Sequence, residues 1–578
     1  MGLLLTYAKP YGKKIAAAVV SVTLMALATL TQPQFLEKMM SAIIKDQSDL
    51  VLKNGAYLLG LALVGIVAGI TGTYFASQVS QGVAADIRRA EYDKIQNFSL
   101  QQVQSYSSAN LVVRLTNDVN QVQQLVMQLL QMVLRVPILL IGAIILSIYT
   151  IPSLWWVVVL MIVLIVLSSQ RIFAMMGGSF AKIQKLIDKN NTLAQENLAG
   201  VRVVKSFNQQ GQEEASFSDN TEELTEVNRR IGYLFNMMFP IFMLLSYAAI
   251  VAALLFISTS ITSHPDQLAK ITPFITYLNQ ILMALLMMGM ISTFASRGFV
   301  SLKRISAVMA EETGGLSINE ETKVAKDDFL KQDLKVENLS FTYPNAESAA
   351  LSAISFGLHA GQTLGIVGST GSGKSTLALL LARLYQGDAG KVQVDGQNIQ
   401  NIDEESWRQA VSIVMQKPVL FSGSIASNLK MGKADASEAE MQEAIEAAQA
   451  AEFVNAYPDG LEHEISERSA NLSGGQKQRL SLARALVKKP RLLILDDATS
   501  ALDARSEKQV QEVLANEFAK TTKVIIAEKI ASIIRADQII VLDEGKVVGV
   551  GSHEELLENS DFYQEIYQSQ KGKEGDHE

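Results

Sequence analysis

The chain has 578 residues, 48% hydrophobic and only 19% charged, with a formal net charge of −8. Its length exceeds what one core sustains, so at least two domains are expected, and the hydrophobic excess suits a protein partly within a membrane. The acidic balance gives no support to a nucleic-acid partner, the absence of cysteine excludes disulfides, thiol catalysis and Cys-ligated zinc, and five scattered histidines argue against a histidine metal site.

In chain order, Lys9, Lys13 and Lys14 precede an apolar run over 15–30. The run is long and no small-residue cleavage pattern closes it, so it reads as a first membrane helix and not as a cleavable signal. About 20 predominantly apolar residues cross a bilayer. Six segments qualify, at 15–36, 57–79, 125–149, 154–175, 233–258 and 272–294. The connections after the second and fourth are long and carry Arg88, Arg89, Lys94, Lys182, Lys185 and Lys189 among others. The positive-inside rule puts them in the cytoplasm, with both termini and the domain that follows the sixth segment. Spaced apolar residues over 84–98 and 183–198 predict that the membrane helices continue as cytoplasmic stalks, turning at 106–110 and 207–211.

Two features inside the membrane half have two readings each. Arg135, beside Pro137, either faces a cavity or is a snorkelling or structurally paired arginine. The methionines of the last two segments (Met237, Met238, Met243, Met283, Met287, Met288, Met290), with Phe239, Phe242, Tyr277, Asn279 and Gln280, suit a cavity for varied apolar ligands. They suit ordinary packing equally. The expected division is a membrane domain over 1–309, a linker over 310–332, a flexible tail over 569–578 and, on the motifs described next, a nucleotide-binding domain over 333–568.

The second half alternates short apolar runs with helices. A strand-like run at 363–367 leads into Gly368-Ser369-Thr370-Gly371-Ser372-Gly373-Lys374-Ser375-Thr376, followed by an apolar helix over 377–384. This is a P-loop in strand–loop–helix context. Its glycines let backbone N–H groups close on phosphate oxygens at a helix N-terminus. Lys374 is expected on the β- and γ-phosphates and Ser375 on Mg²⁺. The buried run 492–496 ends in Asp496, the expected second half of the Mg²⁺ site.

Between them, Leu472-Ser473-Gly474-Gly475-Gln476 opens a helix running through Ala485. This segment resembles the signature motif of the ATP-binding cassette (ABC) transporters, and the resemblance spans essentially the whole chain. It implies an α-helical membrane domain of six transmembrane helices with long cytoplasmic extensions, fused to an α/β P-loop nucleotide-binding domain. Tyr343 sits where the family stacks an aromatic on adenine, and Gln416 where its Q-loop touches metal and water. Ser500-Ala501-Leu502-Asp503 resembles the D-loop, and 111–119 and 195–207 resemble cytoplasmic-loop segments of the exporter branch. Importers of the family usually keep the two halves on separate chains. The resemblance also implies a dimer in which each ATP lies between the P-loop of one cassette and the signature motif of the other.

Two positions depart from the family's pattern. Asp497 stands where a glutamate normally orients the attacking water, and Glu528 where a histidine approaches the γ-phosphate. The binding residues Lys374, Ser375, Asp496, Gln416 and Tyr343 are intact, as is the signature motif. The resemblance is therefore to the degenerate-site subunit of bacterial heterodimeric multidrug exporters, the LmrC/LmrD-like group. It implies ATP and Mg²⁺ as cofactors, a second half-transporter as partner, and hydrophobic or amphipathic small molecules exported across the cell membrane. Lipid flipping, peptide export and a nucleotide-gated regulator or channel are the competing readings.

Overall fold

The computed structural model describes residues 2–260, 267–312, 324, 326–344 and 346–574. The chain divides into two compact units, Met1–Asp93 with Leu111–Glu311, and Lys94–Asn110 with Glu312–Glu578.

The first unit is helical: α1 (Gly12–Ile44), α2 (Ser48–Gln96), α4 (Ser108–Thr150), α5 (Trp155–Ala199), the short α6 (Val201–Ser206), α7 (Gln210–Ser260) and α8 (Gln267–Ala310). α3 (Leu100–Tyr106) belongs to the second unit. Six helices among the described residues are long and apolar enough to cross a membrane. The 49 residues of α2 make a rod of about 74 Å, against roughly 30 Å of hydrocarbon, so the extension beyond the apolar stretch is as large as the sequence pattern predicts. The extensions of α5 and α7 are pinned to each other. Buried Asn220 donates to the Leu186 carbonyl (3.0 Å) and to Asn190 Oδ1 (2.6 Å), and Lys182 pairs with Glu223 at 2.6 Å.

α4 is not a regular α-helix. π-helical turns occupy Arg114–Asp118 and Leu129–Val133. The second ends at Val133, four residues before Pro137, which has no N–H to donate to the Val133 carbonyl and crowds it sterically. α8 is the central packing partner. Tyr277 is fully buried and donates to the Leu30 carbonyl at 3.0 Å, and Ser301 donates to Asp118 at 2.6 Å. Two of the aromatics weighed for a ligand cavity, Tyr277 and Phe242, are thus core residues of one apolar cluster. Met237, Met283 and Met288 are exposed, as is Phe239. The Met290 side chain lies outside the described residues.

In the second unit, β1 (Asp333–Phe341), β2 (Leu351–His359), β4 (Ala389–Val394) and β5 (Gln397–Asn398) form an antiparallel sheet in the order β2-β1-β4-β5. The larger sheet runs β10-β9-β3-β8-β7-β6, with β3 (Thr363–Gly368), β6 (Val411–Val414), β7 (Leu492–Asp496), β8 (Thr522–Ile526), β9 (Gln538–Asp543) and β10 (Lys546–Gly551). All its pairings are parallel except β9 with β10. The central strands β3, β7 and β9 are apolar on both faces, as a sheet covered on both sides requires. Leu100 of α3 packs against the apolar cluster under the antiparallel sheet, Gln102 Nε2 donates to the Glu312 carbonyl (2.7 Å), and Tyr385 donates to Gln104.

The expected tail from residue 569 is helical as far as Glu574. The last helix, Asp561–Glu574, is anchored by buried Tyr563 and by Gln570, whose side chain accepts from Ile530 N (2.9 Å) and donates to the Glu528 carbonyl (2.7 Å).

Candidate nucleotide site

In register, Ile526 of β8 lies between Asp496 of β7 and Ile366 of β3. The carboxyl ends of these strands therefore converge, and the segments leaving them carry the P-loop, Asp496–Asp497 and Glu528. Such a crevice is where open α/β sheets bind ligands.

The P-loop is built for close approach. A Cβ on Gly368 would sit 2.0 Å from the Leu542 carbonyl oxygen. Gly373 has φ +96°, and a Cβ there would meet the Ala350 carbonyl at 2.7 Å. The helix α9 (Lys374–Leu381) begins directly after it, three residues before the helix expected from the apolar run, and has no side-chain cap. Its first-turn N–H groups are the orphan donors that attract phosphate. Ser372 Oγ is buried without a hydrogen-bond partner among the described residues. These observations fit a polyphosphate chain.

Lys374 lies across the loop, donating to the carbonyls of Gly368 (2.9 Å) and Ser369 (2.7 Å). Burial pushes its ammonium below the usual lysine range, while Glu528, Asp496 and Asp497 act to hold it up. Asp496 is buried, which pushes its carboxyl above the aspartate range; a hydrogen bond with Ser375 and the charge of Lys374 oppose that, and Asp497 adds to it. The Ser375 and Asp496 oxygens thus stand together, a hard-oxygen pair that fits Mg²⁺. Asp497 takes φ +50°, a left-handed conformation that aspartate tolerates, and its N–H donates to the Ile526 carbonyl at 2.9 Å. Gln416 Nε2 approaches Asp497 Oδ2 at 3.5 Å. Tyr343 shares a 3.0 Å hydrogen bond with Thr376 Oγ1 and stands edge-on to Phe341 and Tyr385.

The residues expected around one nucleotide therefore fall into two groups. Tyr343, the P-loop, Gln416, Asp496, Asp497 and Glu528 gather at the strand ends. Ser473–Gln476 do not join them; they open α12 (Gly474–Leu486), following α10 (Ile425–Lys430) and α11 (Glu438–Ala447), with which α12 shares a second apolar cluster. Ser473 and Gln476 form a complete capping box there, Ser473 N donating to Gln476 Oε1 at 2.9 Å.

One bridging residue escaped the sequence reading. Buried Gln478 accepts from Ala501 N (2.9 Å) and donates to Ser500 Oγ (3.2 Å), tying α12 to the D-loop-like segment. Gly475 makes room for the same segment, since a Cβ there would meet the Ala501 carbonyl at 3.0 Å. A glutamine on the same helix face as Leu482 and Ala485, two residues beyond the motif, was the available signal.

Comparison with known proteins agrees with this architecture. The ABC transporter transmembrane region family matches residues 15–285, and the ABC transporter family matches residues 351–500. The chain is 35% identical to the uncharacterized ABC transporter ATP-binding protein YfiB of Bacillus subtilis (strain 168), covering 99% of both chains. It is 31% identical to an ATP-dependent lipid A-core flippase of Dechloromonas aromatica (strain RCB), covering 99% of this chain and 97% of that one. The solved structure of a bacterial Atm1-family ABC exporter with ATP bound superposes with a TM-score of 0.78 at 24% identity, covering 96% of this chain and 98% of that one. Strand-end P-loop, signature helix and six long membrane helices on one chain make this protein a member of the ABC transporter family, a multi-pass membrane protein of exporter fold.

Proposed function

We propose that this chain is one half of an ATP-driven exporter of hydrophobic or amphipathic small molecules, paired with a different half-transporter. It binds ATP at a slow or silent site and lends Ser473–Gln476 to the working site of its partner. Both termini and the nucleotide-binding unit lie in the cytoplasm, on the side of the basic loops. The observation that carries the reading is the set of carboxylates around Lys374: Asp496, Asp497 and Glu528.

Lys374 and the first turn of α9 grip the phosphates, and Tyr343 takes the adenine. Ser375 and Asp496, with Gln416, would hold Mg²⁺, which would supply neutralisation of the phosphate charge. Asp497 is one methylene short of glutamate, so its carboxylate falls back by about 1.5 Å from the place of the attacking water; misplacement near 1 Å costs ~10²-fold in rate. Glu528, exposed at the end of β8, is an acceptor where a donor to the γ-phosphate is needed, and when ionised it repels that phosphate. A homodimer would carry both defects in both sites, which favours a heterodimer.

The test is nucleotide binding and hydrolysis by the purified chain alone. Expected is saturable ATP binding with very slow turnover, and brisk turnover on adding a partner that has Glu and His at the matching positions. Fast hydrolysis by the isolated chain sinks the degenerate-site reading. The flippase relative favours a second reading, lipid translocation; movement of a labelled lipid between leaflets, with no uphill drug movement in the same vesicles, would select it.

A further inference from the structure

A cavity of about 490 Å³ opens among α1, α2 and α4, lined by Met25, Ile70, Thr73, Tyr74, Gln131 and Arg135 with a few neighbours. Its volume is in the range of small-ligand sites. Arg135 Nε is buried and has no hydrogen-bond partner among the described residues. The same segment is the one disturbed by Pro137: the π-helical turn Leu129–Val133 lies directly before Arg135, and both Gln131 and Arg135 reach this cavity. Such turns often mark functional sites.

The chemistry of the lining is one-sided. A guanidinium keeps its charge and offers only donors, and an unpaired buried donor on a charged group is costly in apolar surroundings. Thr73 and Tyr74 add hydroxyls and Gln131 an amide at the same wall, while no carboxylate lines the cavity among the described residues. Met25 and Ile70 supply the apolar surface, and Ile70 and Tyr74 are both exposed, so the cavity is open on the side of α2. A planar cation beside apolar walls fits a carboxylate, phosphate or sulfate joined to a hydrocarbon body.

We propose that this cavity binds anionic amphiphiles, with Arg135 on the anionic head and the chain or ring lying against Met25 and Ile70. The inference rests on the export reading and narrows its substrate class. Of the two readings of Arg135 it takes the one in which the arginine faces a cavity.

The test uses the full chain in phosphatidylcholine nanodiscs without nucleotide, with cis-parinaric acid as a fluorescent anionic amphiphile and empty discs as background. Expected is a saturable signal displaced by dodecyl phosphate and not by dodecanol or dodecylamine. Arg135→Gln should weaken binding by about ten-fold or more, as loss of a hydrogen bond to a charged group does, with Arg135→Lys in between. Ile70→Trp, which fills the cavity and leaves the arginine in place, should abolish the saturable part, so the proposal stays testable if Arg135→Gln folds poorly. Unchanged affinity in Arg135→Gln and Ile70→Trp, or equal displacement by dodecanol and dodecyl phosphate, overturns it. Phosphatidylglycerol added to the disc separates the two sources of such a ligand: displacement of the probe makes a bilayer lipid the occupant, and undisturbed binding makes it a solute, the head-group chemistry holding in both. Because no nucleotide is used, intact binding with absent transport defeats the export reading alone. Lost binding, with drug-stimulated hydrolysis intact when the same variant is paired with its partner, defeats this proposal alone.

Discussion

Two helices of the nucleotide-binding unit begin at functional motifs, and they begin in opposite ways. α9 starts from Gly373, with no side chain to cap it, so its N–H groups are left for phosphate. α12 starts from Ser473, whose hydroxyl accepts from Gln476 N while Gln476 returns the bond to Ser473 N. The first end is an open anion receptor; the second has the N–H groups of Ser473 and Gln476 satisfied by side chains of its own. Ser473 Oγ only accepts within the capping box, so its O–H stays free to donate to a phosphate held by another subunit. The difference matches the division of labour proposed above, with one end gripping this chain's ATP and the other offered across an interface.

The sharpest way to break that comparison is Lys374→Ala. Removing two charge-assisted contacts to phosphate should weaken ATP binding by roughly 100-fold, near 3 kcal/mol, in a fluorescent-nucleotide titration of the full chain. Equal binding would show that the open helix end alone suffices. Next, Asp497→Glu combined with Glu528→His should raise phosphate release at this chain's own P-loop by ten-fold or more, recovering part of the ~10²-fold cost of a displaced carboxylate; the measurement is made in the assembled pair, with the partner's P-loop lysine removed. Ser473→Ala should leave ATP affinity at Lys374 unchanged, abolish hydrolysis by the pair, and cost about 1 kcal/mol of stability through the lost cap. A shift in this chain's own ATP affinity would contradict the separation of the two ends.

The smallest effect concerns another capping box, with a carboxylate in place of the amide. Glu440 caps Ser437 and is held down to about 2 by its hydrogen bond to Lys433, then by the Ser437 N–H. A depressed carboxylate stabilises fully above its unfolded value of 4.5 and loses that contribution as pH falls toward 2. Glu440→Gln should therefore narrow the difference in melting temperature of this unit between about pH 5 and pH 3, without altering it between pH 6 and 7. The exposed pair makes the expected change small.

The comparison also shows what sequence pattern can and cannot reveal. Residues whose spacing is set by one backbone stretch were legible: the P-loop glycines, the strand ending at Asp496, the six long apolar helices. The start of α9 at Lys374 was not, because the glycines of the loop hide a helix that begins before its apolar face does. Tyr277 was ambiguous because a polar aromatic suits a cavity and a core equally; only the Leu30 carbonyl, 247 positions away in sequence, decides it. Gln478 and Gln570 were missed for the same reason, since a glutamine becomes informative only when the groups it bonds are known. The π turn at Leu129–Val133 follows from Pro137, yet a proline in a helix signals a disturbance without saying which kind.

The docked segment around α3 has a consequence for biogenesis. Gln104 meets Tyr385 across 281 residues of sequence, and Gln102 meets Glu312 across 210. At a synthesis rate of roughly 5–20 residues per second, α3 emerges some 15–60 s before its seat on the second unit exists. Its Ser99–Gln102 capping box gives it a local structure to keep meanwhile. The segment is thus a late-closing clasp: the second unit cannot finish assembling until the ribosome has passed residue 385, and a chain stalled before that point presents α3 unclasped to whatever surveys unfinished membrane proteins.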